Sequence, residues 1–138
     1  MQRRGEATSD RRLSSSRALI VTDALALIAF VLTGAVSHHD AGLLIILARN
    51  LVPLGVAWVV AAAVFGPYRR RSWGTVVLTW AAAAPLGILV RSWLVGSPRG
   101  NELVKFLLVG SAFSLLYLLA GRVLLAAGER LRARGVRV

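Results

Sequence analysis

The sequence predicts an all-α integral membrane protein, a four-helix bundle with both termini in the cytoplasm. Three observations predict this fold class. Of the 138 residues, 57% are hydrophobic and the mean hydropathy is +0.67, which exceeds the composition of an ordinary soluble domain. The apolar residues form four runs of about 20 residues, the length that a helix needs to cross a bilayer. Most of the 17 basic residues lie outside these runs.

The first predicted helix covers residues 18–36, where Asp23 is the only charge. A cleaved signal peptide is the alternative, because a basic start precedes the run and Ala35 and Ser37 are small residues of the kind found at cleavage sites. The run is too long for the apolar part of a signal peptide and it contains an aspartate, so an uncleaved helix is favoured. Asp10, directly before Arg11-Arg12, argues against a twin-arginine signal.

The other three helices are predicted at residues 43–65, 76–95 and 103–127, and together the four helices form a transmembrane domain at 17–128. The loops between them are short, which predicts antiparallel neighbours in a compact bundle. β-Strands are excluded, because four crossings are too few to close a barrel and an open sheet edge cannot be satisfied in hydrocarbon.

Two basic segments flank this domain: residues 1–16, predicted as a mobile arm, and residues 129–138, predicted as a tail. The residues before the first run, the second loop and the tail together hold twelve basic residues, whereas the first and third loops hold two, counting Lys105 at the edge of the fourth run. The positive-inside rule therefore places both termini in the cytoplasm, facing anionic lipid headgroups of the cytoplasmic membrane. Tyr68 and Trp73 at one interface and Trp93 at the other are typical of aromatic belts.

Several functional classes have little support in the sequence. The net charge of +11 follows the membrane runs rather than an aromatic or groove-reading pattern, which argues against nucleic acid. Cysteine is absent, and no catalytic triad, phosphate loop or zinc-protease motif occurs, so we expect no enzyme and no cofactor. His38-His39-Asp40 offers ligand types without a further cluster, so a plain polar turn is favoured over a metal site.

Asp23 and Arg122 are predicted to form an ion pair between the first and fourth helices. Each lies five residues inside the cytoplasmic end of its run, about 7 to 8 Å from that interface. Because ionisable groups at membrane depth usually face the bundle interior and pair, the two side chains are expected to meet. A proton or cation relay through Asp23, and independent snorkelling of both side chains, are the alternatives.

Arg49, Asn50 and Arg91 are candidates for binding an anion or a lipid headgroup in the outer half of the bundle. The nearest acids, Asp40 and Glu102, lie in surface loops, so positive charge is in excess there. A guanidinium group suits phosphate or carboxylate. Snorkelling to outer-leaflet phosphates is the simpler interpretation, and an outward-facing anion site is the sharper one.

The tripeptide Pro-Leu-Gly occurs twice, at residues 53–55 and 85–87, near the middle of the second and third runs. Pro53, Gly55, Pro85 and Gly87 are therefore predicted helix breaks, because proline removes a backbone hydrogen bond and glycine permits close approach. Broken helices at mid-depth build the binding sites of many transporters, although packing alone also explains prolines in membrane helices.

Two faces of small residues are predicted to pack against a neighbouring helix, either in the same chain or in a second copy. The first face, on the third helix, holds Ala84, Gly87 and Arg91. The second, on the fourth helix, holds Gly110, Ser114, Tyr117 and Gly121.

The order of these features resembles an uncharacterised prokaryotic family of small four-helix membrane proteins, catalogued as a domain of unknown function. The resemblance spans roughly residues 17–122. It rests on Asp23, Gly34, His38 or His39, Pro53 with Trp58, Trp80 with Pro85-Leu86-Gly87 and Arg91, and Phe106 with Arg122. The chain departs from the family pattern at Leu54 and Gly121, where aromatic residues are expected. The family implies the same four-helix threading and no assigned activity.

Two functions remain open. The first is a small transporter or channel-like protein for an anionic solute, expected to be a homodimer because four helices enclose little volume. The second is a non-catalytic membrane scaffold or accessory subunit, in which the same residues pack helices and hold lipid headgroups.

Overall fold

The computed structural model describes residues 3–36, 42–70 and 72–135, and within them the chain is helical, without strands. The helices are α1 (Arg3–Val36), α2 (Leu43–Phe65), α3 (Pro67–Arg70), α4 (Trp73–Val95) and α5 (Asn101–Gly135). α1, α2, α4 and α5 contain segments long and apolar enough to cross a membrane: Ser16–Val36, Leu44–Phe65, Trp73–Val95 and Asn101–Arg134. The prediction of four long helices and an all-α fold is therefore confirmed. The motif at residues 38–40 lies outside the described residues.

The four long helices form a ring in which each one packs against two neighbours. α2 packs most extensively on α4 and α1 on α5, and the α1–α2 and α4–α5 contacts complete the ring. The short helix α3 lies against α1 and α4. We call the end where α1 and α4 finish and α2 and α5 begin the distal end, and the end that holds α3 the proximal end.

The outer surface of the bundle is far more apolar than that of a soluble protein. Large apolar residues cover the outside, among them Leu44, Val64 and Trp93, whose exposed fractions are 81%, 72% and 82%. The interior combines an apolar core with a few polar residues, of which Asp23 and Thr79 are completely buried. Since burial of apolar surface drives folding in water, this arrangement is suited to hydrocarbon as the surrounding solvent.

Small residues set the close approach of the helices, and their partners are in the same chain. A Cβ atom on Gly110 would lie 3.1 Å from Ile88 Cδ1 of α4, and one on Gly121 would lie 3.1 Å from Thr22 Cγ2 of α1. Trp80 Nε1 of α4 donates to the Ser111 carbonyl at 3.0 Å and to Ser114 Oγ at 3.1 Å, both on α5. The small-residue face of α5 thus packs within the bundle.

The helices extend further than the hydrophobic runs predict. α1 begins at Arg3, so the segment that the sequence predicts as a mobile arm is helical from that residue on and continuous with the first membrane-spanning segment. α5 begins at Asn101 and continues to Gly135 through the basic tail, and α4 begins at Trp73, where the Ser72 side chain caps the helix. No proline interrupts these extensions, and adding a residue to a helix that already exists requires no new nucleus.

The predicted helix breaks are not interruptions of secondary structure. α2 continues through Pro53 and α4 through Pro85, because the loss of one backbone hydrogen bond leaves the rest of each ladder intact. The two glycines of the repeated tripeptide differ in their surroundings. A Cβ atom on Gly87 would lie 2.8 Å from Leu54 Cα, whereas one on Gly55 would meet nothing within 4 Å. Gly87 therefore marks a point where α4 and α2 approach closely.

Candidate functional site: a distal cavity and a buried proximal ion pair

A cavity of about 590 Å³, here called the distal cavity, lies between the four long helices. This volume falls within the roughly 300 to 1,000 Å³ that is usual for small-molecule sites. Its polar lining residues are Thr33, Arg49, Asn50, Arg91 and Tyr117. The other lining residues are apolar or glycine. Each of the four long helices contributes apolar side chains, for example Phe30 from α1, Leu54 from α2, Ile88 from α4 and Phe113 from α5.

Arg91 is held in place by three contacts at the distal end of the cavity. Its Nε donates to Asn50 Oδ1 at 2.7 Å, and its Nη1 donates to the Ser97 carbonyl at 3.0 Å. The guanidinium carbon lies 4.9 Å from the centre of the Phe106 ring, which is a cation–π contact. These contacts fix the plane of the guanidinium group and leave part of its donor set available to a ligand.

Asn50 is oriented by its own helix. Its Nδ2 donates to the Ile46 carbonyl at 2.7 Å, one turn earlier in α2. The amide oxygen is therefore directed to Arg91, since the amide nitrogen is already used. The sequence grouped Asn50 with Arg49 and Arg91 in one candidate site in the outer half, and the structure pairs Asn50 with Arg91.

Arg49 supplies a second positive charge to the same cavity. Its side chain is exposed, and its charge acts electrostatically on Arg91. Among the residues whose side chains the structure describes, the ion pairs are Arg122 with Asp23 and Lys105 with Glu102. Neither cavity arginine therefore has a carboxylate partner in the described part of the chain, and their two charges are balanced by no acid there.

A second polar cluster lies near the proximal end. Arg122 of α5 donates from Nε to Asp23 Oδ1 at 2.9 Å and from Nη2 to Asp23 Oδ2 at 2.6 Å, which is a bidentate pair. The two side chains are 6% and 0% exposed. The structure thus brings together the two residues whose common depth predicted a pair, and it ties α1 to α5.

Tyr68 joins this ion pair from α3, and sequence reasoning missed it. The Tyr68 hydroxyl accepts from Trp58 Nε1 at 2.8 Å and hydrogen-bonds with the Asp23 carboxylate, while Arg122 Cζ lies 5.9 Å from the ring centre. Burial, and then the negative charge of Asp23, raise the pKa of Tyr68 above its ordinary value. The expectation that Tyr68 belongs to an interfacial aromatic belt is therefore corrected.

A local backbone feature explains how Tyr68 reaches the interior. α2 ends at Phe65 and is capped by Gly66, which has a φ of 63° and donates from its N–H to the Ala62 carbonyl at 2.9 Å. Pro67 follows directly and starts α3, a position that proline favours. The left-handed conformation of Gly66 reverses the chain direction after α2. This reversal places α3 across the proximal end of the bundle, where the Tyr68 side chain lies beside Trp58. The Gly-Pro pair is the sequence signal for this turn, but it carries no information about the direction of the tyrosine.

The comparisons with known proteins place the chain in a family without an assigned activity. The family described as "Protein of unknown function (DUF3054)" has a model that matches residues 20–125. The match includes Asp23, Arg122 and the three candidate anion-binding residues. No curated protein and no solved structure matches the chain.

Proposed function

The chain belongs to DUF3054, a family of proteins of unknown function, and we propose that it is a small multi-pass membrane transporter for an anionic solute. The single observation that carries this proposal is the pair of arginines, without a carboxylate partner among the described residues, in a cavity of about 590 Å³. Arginines within membrane-spanning helices are rare, and those that face a cavity usually mark the pathway or the site of a ligand.

The location follows from the charges on the proximal side. Arg69 and Arg70 of α3 and Arg130, Arg132 and Arg134 of α5 are exposed at that end. By the positive-inside rule we place the proximal end in the cytoplasm and the distal cavity toward the outer face of the cytoplasmic membrane. The same basic residues would contact anionic lipid headgroups of the inner leaflet.

The two halves of the bundle have different roles in the proposal. The distal half contains the cavity, whereas the proximal half is closed by tight packing around Asp23, Thr79 and Leu118, which are completely buried. A solute bound at Arg91 would therefore be accessible from one side. Release to the other side requires the proximal helices to separate, and the close crossing of α2 and α4 at Gly87 is the natural pivot.

Uptake into proteoliposomes tests the function. The full chain is reconstituted, and the entry of inorganic phosphate, acetate, hexanoate and octyl phosphate is measured against protein-free vesicles. We expect at least one of these anions to enter, and Arg91→Ala and Arg49→Ala to reduce the rate about tenfold or more, since each removes a charge-assisted contact. Arg99→Ala is the matched control, because Arg99 is an exposed distal arginine that does not line the cavity.

Two results would contradict the proposal. If none of the anions enters while the protein remains folded, the transporter function is wrong and the scaffold function is favoured. If an anion enters at the same rate in wild type and in both cavity variants, the distal cavity is not its site. The proposed homodimer is measured separately, as the mass of the detergent-solubilised protein.

A further inference from the structure

We propose that the ligand of the distal cavity is a single-chain anionic amphiphile, with a phosphate or carboxylate head at Arg49 and Arg91 and a hydrocarbon tail in the apolar inner part. The inference rests on the proposed anion site and adds the class of molecule that it takes. It depends on how polar and apolar residues are separated along the cavity.

The charged groups occupy one end of the cavity. Arg91 lies four residues before the distal end of α4, about 6 Å along the helix, and stacks on Phe106. Arg49 lies six residues from the distal start of α2, about 9 Å along that helix. Both guanidinium groups are therefore near the depth at which the headgroups of a bilayer begin.

The other end of the cavity reaches toward the middle of the bundle. Phe106 and Tyr117 both line it and are eleven residues apart on α5, a distance of about 16 Å along the helix. Beyond the arginines the walls are made by Phe30, Leu54, Ile88 and Phe113. The two hydroxyls at this end, Thr33 Oγ1 and Tyr117 Oη, bond to each other at 2.7 Å. This inner part offers hydrocarbon contacts and no charge.

The volume favours one chain over two. At the roughly 30 Å³ that a water molecule occupies in the liquid, 590 Å³ has room for about 20 groups of that size. A phosphate or carboxylate head uses a few of these places, and the remainder matches a single alkyl chain of medium length. A small hydrophilic anion would leave the apolar walls in contact with water, and the free-energy cost of this contact grows with the apolar area exposed.

Photolabelling in nanodiscs tests the inference. The probe is dodecyl phosphate with a diazirine on its terminal carbon, and the labelled residues are located by mass spectrometry of the full-length protein. We expect label at Phe113 and Tyr117 that excess unlabelled octyl phosphate or octanoate displaces, and that octanol and inorganic phosphate displace at least tenfold less well. Displacement by lysophosphatidic acid would identify a membrane lipid as a source of the ligand. Displacement by the simple alkyl anions alone would identify a water-borne amphiphile. Either result supports the inference.

Variants separate the head and tail contributions. Arg91→Ala is expected to reduce the displaceable label about tenfold or more, with Arg99→Ala as its control. Val109→Trp adds bulk to the cavity wall and is expected to abolish the label in the inner part. Val104→Trp makes the same change on α5 at a residue that does not line the cavity, and the two valines are similarly exposed, at 56% and 54%.

The failure of this inference is distinguishable from the failure of the proposed function. The proposal that an amphiphile binds in the cavity would be wrong if the label is spread over the lipid-facing residues of α5 and octyl phosphate does not displace it. If inorganic phosphate or acetate still enters vesicles in an Arg91-dependent manner, the proposed anion transport remains supported and only the amphiphilic ligand is wrong. If neither displaceable label nor Arg91-dependent uptake is found, both proposals are wrong.

Discussion

Arg122 holds both carboxylate oxygens of Asp23 with two hydrogen bonds of 2.9 and 2.6 Å, and this pair joins α1 to α5 inside the bundle. The contact spans 99 residues of sequence, so it fixes the relation between the first and the last long helix. Because both groups are almost completely buried, each depends on the other for its charge to be tolerated.

Asp23→Asn and Arg122→Gln are each expected to destabilise the fold by about 3 to 5 kcal/mol, since either change leaves a buried charge without its partner. The measurement is unfolding in detergent, or the yield of folded protein. The charge swap, Asp23→Arg with Arg122→Asp, should recover part of the loss. Glu102→Gln is the control: it breaks the exposed Glu102–Lys105 pair and should change stability by less than about 0.5 kcal/mol. A swap no more stable than the single variants would contradict a role for this pairing.

Gly87→Ala is expected to destabilise the protein by about 1 to 3 kcal/mol, because its Cβ would lie 2.8 Å from the backbone of Leu54. Gly55→Ala makes the same change in the other copy of the tripeptide, where nothing lies within 4 Å. It should leave stability unchanged or slightly raised, since alanine favours a helix over glycine. Thermal unfolding of the two variants side by side makes the comparison. Equal effects would show that α2 and α4 do not cross closely at Gly87.

Tyr68 should remain protonated well above pH 10, its ordinary pKa, because burial and the Asp23 carboxylate favour the neutral hydroxyl. A raised pKa in the folded state means that the contribution of Tyr68 to stability is complete below the unfolded pKa and is lost as the pH rises through the folded pKa. Tyrosinate absorbance at 295 nm in a Tyr117→Phe background measures this ionisation alone. Ionisation near pH 10 while the protein is still folded would show that the hydroxyl faces solvent.

The orientation in the membrane can be measured directly, because the chain has no cysteine. Ser97→Cys places a thiol in the distal connection, and Arg134→Cys places one near the proximal end of α5. With the proximal end in the cytoplasm, a membrane-impermeant maleimide should label the first variant in intact cells and the second only after the cells are opened. The opposite pattern would reverse the assignment of both ends.

The sequence predicted the four long helices and the contact between Asp23 and Arg122, because long apolar runs with few charges leave few possible arrangements. The positions of charged residues within the runs predicted that Asp23 would meet Arg122 and that Arg49, Asn50 and Arg91 would lie in the same half of the bundle. Those predictions need only the direction of each helix and the rise per residue. The depth of a residue does not show how its helix is rotated about its axis. The sequence therefore did not distinguish Gly87, which packs against Leu54, from Gly55, which meets nothing within 4 Å.

Other features depended on tertiary contacts that no local pattern records. Tyr68 reaches Asp23 because a left-handed glycine turns α3 under the bundle, and a tyrosine beside a basic loop is equally typical of an interfacial belt. The extension of α1 to Arg3 also escaped prediction, because polar arginine- and serine-rich segments usually lack the apolar face that holds a helix. The sequence predicted the polar residues Arg49, Asn50 and Arg91 of the distal cavity. It did not predict the apolar walls, because these are assembled from side chains of all four long helices.

The most direct measurement of the central claim is the ¹⁵N resonance of the Arg91 guanidinium group, in nanodiscs, during titration with octyl phosphate. The claim is that an anionic group binds in the distal cavity against Arg91 and Arg49. It predicts that the Nε signals of both arginines shift saturably, while that of Arg99 does not. Signals of Arg91 and Arg49 that stay unchanged, or that move no more than that of Arg99, would contradict it.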